Sequence, residues 1–347
     1  MRHLTTTVSA TALLFAVAGT AQAQEINALV WCDHTDPEFL EPFTEATGIE
    51  VNVREYEGTG TALALIEQSR PSDWDVFVVD STDVRRVVER GLLAPLDPTD
   101  FPLDDVFEEV RLEDYHFVDG VMYAVPEKFG YNAIAFDSDE VTLEAARDLQ
   151  TLFSEDAAGE LIIYDYYLSI ISQLALDIGK APADLTMEDL PAIGERLTAL
   201  RENAALIGDV VTSQTALATG QASILAGGGE YAVAGLQADQ PNLDWVLPDI
   251  GGVRWQQAVG VMAGSENVDA ATQFVQYILS PEGQARLATS SCYWGMPANS
   301  QAALSDEEKA RLRWDEQPAF LEASFPYHSP SEEMDRAMQD LWAETMQ

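Results

Sequence analysis

Residues 72–97 read SDWDVFVVDSTDVRRVVERGLLAPLD. Within them Val76-Phe77-Val78-Val79 is an unbroken apolar run of β-forming residues, the pattern of a strand covered on both faces by helices. Asp80-Ser81 ends the run. Ser81 or Thr82 then stands where a cap belongs, ahead of a short helix carrying Val84, Val87 and Val88. Gly91 follows the last periodic residue, the place for a left-handed terminator. Leu92, Leu93 and Leu96 return under the sheet. The turn Asp80-Ser81-Thr82-Asp83 therefore lies at the carboxyl end of a strand and the amino end of a helix, where open α/β sheets place their ligands.

Upstream, residues 26–31 (INALVW) form a strand, Asp36 caps a helix that begins at Pro37, and Phe39, Leu40, Phe43 and Ala46 line one side of it. Gly48 stops that helix, and Ile49, Val51 and Val53 alternate with polar residues as a second strand. Strand, helix and strand in this order imply a parallel pair. Downstream, Asp119-Gly120 makes a turn before residues 121–132. Leu161–Tyr164 is a buried strand, and Leu168, Ile171, Leu174 and Ala175 share one helix face up to Gly179. Residues 187–203 form an amphipathic helix. Ser223–Ala226 is a strand running into Gly227-Gly228-Gly229-Glu230. No Gly-Lys-Ser/Thr follows those glycines, so they signal close backbone approach to a cleft, not a phosphate loop. Helices over 268–279 and from Ser280-Pro281, then a helical tail from Ser305, complete the 347 residues. That length suits two lobes.

The first 23 residues read as a secretory signal peptide: Arg2 and His3, an apolar run over 10–19, and Ala21-Gln22-Ala23 before a cut ahead of Gln24. No cysteine follows the cut, so no lipid anchor is expected, and the exported protein belongs in a periplasm. The chain has 18 Lys and Arg against 59 Asp and Glu, a formal charge of −41. Nucleic acid is excluded as a partner, because no basic face exists to meet phosphates. The acidity suits solubility in a saline medium or attraction of cations to a cleft, and the two are compatible. Cys32 and Cys292 are the only cysteines. An even pair in an oxidising compartment suggests a disulfide, with two buried free thiols as the alternative.

Several blocks resemble the bacterial extracellular solute-binding proteins, specifically their spermidine/putrescine-binding branch. They are the Val76–Asp97 unit ending in GLLAPLD, Trp31-Cys32-Asp33-His34 with Phe43–Val51 (FTEATGIEV), and Asp119–Pro126 (DGVMYAVP) leading to Phe129-Gly130. Two more are Gly251–Val261 (GGVRWQQAVGV) and the run through Ser280-Pro281-Glu282-Gly283-Gln284. The resemblance implies an α/β, two-lobed periplasmic binding protein of the type II class, each lobe a mostly parallel sheet flanked by helices, with two crossing segments as a hinge. Lobe 1 is expected over 24–127 and 257–305, and lobe 2 over 128–256 and 306–347. It further implies that Trp31, Asp33, His34, Ser81, Asp83, Phe129, Trp255 and Gln257 face a ligand. Polyamine binders hold an alkyl chain between aromatic walls and fix each ammonium with a carboxylate. The chain departs from that pattern. The acid expected two residues after Trp255 is Gln257, an aromatic of the opening turn is Asp83, and Tyr166 and Tyr167, after Asp165, replace the acidic pair expected to open the helix. Asp165, Tyr167 and Glu230 join the candidate set, and Lys128 could instead meet a substrate carboxylate.

The sequence has no G-x-S-x-G and no H-E-x-x-H, and its histidines lack ligand spacing, so neither enzyme nor metal carrier is expected. No cofactor is expected. The expected function is periplasmic capture of a small organic cation, a polyamine or a relative, by a monomer that delivers it to an ABC permease. An amino acid or other carboxylate-bearing solute is the alternative, and a secreted hydrolase a remote one.

Overall fold

The structure is a computed structural model that describes residues 24–346; the expected signal peptide lies outside them. Strands β1 (Gln24–Val30), β2 (Ile49–Glu55) and β3 (Val76–Asp80) are parallel, with β1 in the middle. Val76–Val79 are fully buried, as an unbroken apolar run in a covered sheet must be. Asp36 Oδ1 accepts the amide of Glu38 at 3.0 Å to open the helix Pro37–Thr47, and Gly48 closes it at φ 73°. A hairpin of β4 (Phe117–Val118) and β5 (Val121–Met122) turns at Asp119-Gly120, both at positive φ.

The second lobe repeats the plan. Strands β7 (Leu161–Tyr164), β8 (Ala204–Gly208) and β9 (Ile224–Gly228) are parallel, with β7 central. Two long strands join the halves: β6 (Val125–Asp137) and β11 (Gly252–Val261), antiparallel to each other. The sheet runs β2-β1-β3-β11-β6-β9-β7-β8. Strands β10 (Leu243–Val246) and β12 (Met296–Pro297) pair with β6, and β13 (Ser324–Pro326) pairs with β11. One half of β11 pairs with β3, and the far half of β6 pairs with β9. The result is a two-lobed α/β molecule whose outer strands are parallel and whose crossing strands are antiparallel. The β6–β11 ladder shifts register between Gln257 and Ala258.

The helices Val268–Leu279 and Pro281–Ala288 pack on the first half, and the terminal helix Glu332–Met346 packs on Leu190–Asn203 and Tyr167–Asp177 of the second. One local expectation fails. Ser81–Asp83 form a 3₁₀ turn, and the helix Val84–Glu89 begins after Asp83 with no side-chain cap from Ser81 or Thr82. The Ser81 hydroxyl is instead buried 2.9 Å from His116 Nε2. A buried hydrogen bond outweighs an exposed cap here.

Candidate ligand-binding site

The carboxyl ends of the parallel strands of both halves converge on a cavity of about 340 Å³. Trp31 follows β1, Asp80 ends β3 with Thr82 just beyond it, and Tyr164 ends β7 with Tyr166 two residues on. The crossing strands contribute Asn132, Trp255 and Gln257. This is the crevice that the strand-to-helix turn at Asp80 predicts.

Seven aromatic side chains line the cavity. Six of them form a continuous belt, Tyr293–Trp255–Tyr231–Tyr164–Tyr166–Tyr327, with adjacent ring centroids 6.0–6.4 Å apart. Trp31, the seventh, donates its indole N–H to the Tyr56 hydroxyl at 2.7 Å, and that hydroxyl donates to the Val78 carbonyl. Trp255 lies across Gly130, its direct partner on β6. A Cβ at residue 130 would come within 2.3 Å of the indole, so the ring needs glycine beneath it.

The lining contains no Lys, Arg, His or Glu, and Asp80 is its one carboxylate. Burial, with the Asp83 carboxylate adding to it, pushes Asp80 up to about 7. Among the described residues no cation lies within ion-pair distance of it. Gln257 is the direct cross-strand partner of Asp80, so the two side chains stand side by side on one face. Gln257 donates to the Tyr293 hydroxyl at 2.5 Å, and its own Oε1 is buried without a protein partner. The cavity is therefore an aromatic enclosure with one corner that accepts hydrogen bonds and carries negative charge. Aromatic faces and a desolvated carboxylate both attract cations.

Residues 38–320 match the sequence profile of the family described as bacterial extracellular solute-binding protein. The chain belongs to that family. The spermidine/putrescine-binding periplasmic protein of Escherichia coli (strain K12) is 22% identical over 84% of this chain and 83% of its own. The putrescine/agmatine-binding protein of Pseudomonas aeruginosa is 25% identical over 97% of this chain and 95% of its own. Among solved structures, the spermidine/putrescine ABC transporter substrate-binding protein of Streptococcus pneumoniae superposes with a TM-score of 0.80 at 18% identity, covering 93% of this chain and 98% of that one. The protein is thus a solute-binding protein of transport, not an enzyme.

In this solute-binding protein, Trp31, Trp255 and Gln257 line the cavity, whereas the other expected contacts lie elsewhere. Asp33 and His34 are fully buried. Ser81 is bound to His116, and Asp83 faces Arg86 at 3.5 Å. Phe129 is core, edge-on to Phe107 and Tyr131. Asp165 accepts from the Trp342 indole at 3.1 Å, and Tyr167 bonds Asp335. Glu230 is no loop residue in water. It is fully buried, and both its oxygens lie 3.2 Å from the Tyr131 amide that they accept; burial pushes it up to about 8. Asp80, Tyr164, Tyr166, Tyr231, Tyr293 and Tyr327 are among the lining residues that position-by-position resemblance passes over. Asp80 carried a signal nonetheless, as an acid at the carboxyl edge of a buried strand. Tyr231, Tyr293 and Tyr327 lie in loops or short elements with no periodic cue.

Asp33 and His34 join Glu127 and Lys128 in a buried ionic quartet. Lys128 Nζ lies 2.9 Å from Asp33, His34 Nδ1 2.9 Å from Asp33, and His34 Nε2 3.0 Å from Glu127. Burial alone would raise Asp33, but Lys128 and His34 outweigh it and hold its carboxyl well below the usual range. Burial opposes the charge on His34, yet Glu127 and Asp33 raise it to about 10. With both carboxylates ionised, the four formal charges sum to zero, which is how such groups survive burial. Lys128 is therefore occupied with Asp33, and no cation remains at the cavity for a ligand carboxylate. Its Nζ also donates to the Tyr293 carbonyl at 3.1 Å and lies 4.2 Å from that ring's centroid.

Cys32 and Cys292 are bonded, with Cα atoms 6.0 Å apart. Each is the chain neighbour of a cavity ring, Trp31 and Tyr293. Closing a loop across 260 positions contributes at most about 5.6 kcal/mol by chain entropy. The Cys32→Ser/Cys292→Ser variant is expected to lose 2–5 kcal/mol, about the range for native disulfides, and to bind ligand several-fold more weakly. Thermal unfolding and titration of both proteins check this. Equal affinity would show that the bridge does not hold the two rings.

Proposed function

We propose that the protein captures a small organic cation, a polyamine or a chemical relative of one, between its lobes in the periplasm and delivers it to the permease of an ABC importer. The observation that carries this reading is the Asp80 carboxylate, without a countercharge, inside an aromatic enclosure. A desolvated cation on such rings gains about 2 kcal/mol from each good face, and the carboxylate supplies a charge-assisted partner. The relatives named for putrescine, spermidine and agmatine support the same class. The carboxylate-bearing alternative is disfavoured by the engagement of Lys128 with Asp33.

The proposed lobes span 24–127 with 257–305 and 128–256 with 306–347, and the hinge is placed where the β6–β11 ladder shifts register beside Gln257. A ligand touching Asp80 from one lobe and Tyr164 and Tyr231 from the other favours the closed form by its differential contacts. The protein acts as a monomer in this scheme.

Melting temperature against putrescine, spermidine, agmatine, primary monoamines, amino acids, short sugars and ferric ion tests the class. A ligand at 100 times its dissociation constant adds about 2.7 kcal/mol. The amines are expected to raise the melting temperature; a rise with only sugars, ferric ion or net-anionic solutes would sink the reading. Trp255→Ala should weaken amine binding by about 10- to 30-fold, the loss of one good ring face, while the far-ultraviolet circular dichroism stays unchanged.

A further inference from the structure

We infer that the ligand carries a single cationic nitrogen bearing N–H groups, held by Asp80 and Gln257, with an uncharged body against the tyrosine belt. This rests on the cation reading above and narrows it to the singly charged relatives of polyamines, leaving the polyamines themselves as weaker ligands. A cation with two separated charges needs two carboxylates when both ends are desolvated, because an uncompensated buried charge costs several kcal/mol. The cavity offers only Asp80.

The acids in the surrounding shell are already engaged. Asp83 faces Arg86, and Asp33 and Glu127 neutralise Lys128 and His34. Glu230 lies against Trp255 over Gly130, where an added Cβ would meet both, and it is fully buried and outside the cavity lining. Its oxygens are held by the Tyr131 amide. At the far side of the enclosure a second ammonium would find ring faces and tyrosine hydroxyls with no carboxylate in the lining; Asp165, which accepts from the Trp342 indole, and Asp209, which caps the helix Val210–Ala218, lie outside it. At the near corner the unpartnered Gln257 Oε1, beside Asp80, is an acceptor waiting for a donor. A primary ammonium or guanidinium can satisfy both groups at once, whereas a quaternary ammonium has no N–H to give.

Isothermal titration at pH 8 with n-butylamine, 1,4-diaminobutane and butyltrimethylammonium tests the inference. The native protein is expected to bind butylamine at least tenfold more tightly than either of the other two. Gln257→Glu, which places a second carboxylate beside Asp80, is expected to reverse the order in favour of the diamine. Gln257→Leu, which removes the acceptor and adds no charge, is expected to erase the advantage of butylamine over its trimethyl analogue while keeping its advantage over the diamine. Equal or tighter binding of 1,4-diaminobutane by the native protein overturns the single-charge inference and leaves the cation reading standing. Binding of none of the three, while uncharged or anionic solutes bind, overturns the cation reading and the inference with it. Butyltrimethylammonium binding as well as butylamine overturns the N–H requirement.

Discussion

Asp80→Asn is expected to lose at least about 30-fold in affinity for a cationic ligand and, without ligand, to melt at a higher temperature than the native protein. The affinity loss follows from removing one member of a desolvated charge pair, which costs 2–5 kcal/mol or more. The stability gain follows from the direction of the Asp80 shift. In the folded protein burial and the Asp83 carboxylate raise Asp80 to about 7, against about 3.9 in an unfolded chain. Between those values the folded state holds a proton that the unfolded state has released. Stability therefore falls as pH rises through that window, and the full penalty of the ionised carboxylate is present above pH 7. Asparagine carries no such penalty, so the gain is largest at pH 8, with a ceiling of about 4 kcal/mol. The same titration acts on binding in the native protein. If only the carboxylate form holds the cation, affinity at pH 5.5 is about 30-fold weaker than at pH 8. Melting curves and titrations at both pH values decide it. An Asn variant that binds like the native protein, or a native affinity flat across this range, would remove Asp80 from the site.

Lys128→Met is expected to destabilise the protein by about 3–5 kcal/mol, the usual cost of leaving one member of a buried ion pair uncompensated. Methionine keeps much of the side-chain volume, so the effect isolates the charge. Asp33 would retain His34 as its only cationic partner, while His34 also serves Glu127, and the remaining groups would carry a net negative charge. The Asp33→Leu/Lys128→Met double variant removes the pair together and is expected to recover most of the loss. Denaturant titration of the three proteins reads both terms. A single-variant loss below about 1 kcal/mol would mean that water or a relaxed backbone already screens Asp33.

Much of the fold was legible because it is written in local patterns. The apolar run at Val76–Val79, the Asp36-Pro37 start, the Gly48 stop and the amphipathic helices each follow from one stretch of chain. The site was less legible because its residues are defined by what the fold brings together. Trp31, Trp255 and Gln257 were reached through their neighbours in recognisable blocks, and they line the cavity. Asp33 and His34 sit in such a block as well, but whether an acid faces a cavity or a lysine depends on Lys128, 95 positions away. Asp80 and Asp83 differ by three residues and exchange roles because a 3₁₀ turn, not a capped helix, follows the strand. The tyrosine belt draws on Tyr164, Tyr231, Tyr293 and Tyr327, which no local periodicity connects.

The cavity is assembled from positions scattered along the chain between Trp31 and Tyr327. No contiguous segment carries it. Exchanging a stretch of sequence with another binding protein would therefore transplant only part of two different walls, and a chimera would recognise neither parent's ligand. Recognition on this scaffold must instead be rewritten one side chain at a time, and the short list of positions that touch Asp80 and the ring belt is where such rewriting has leverage.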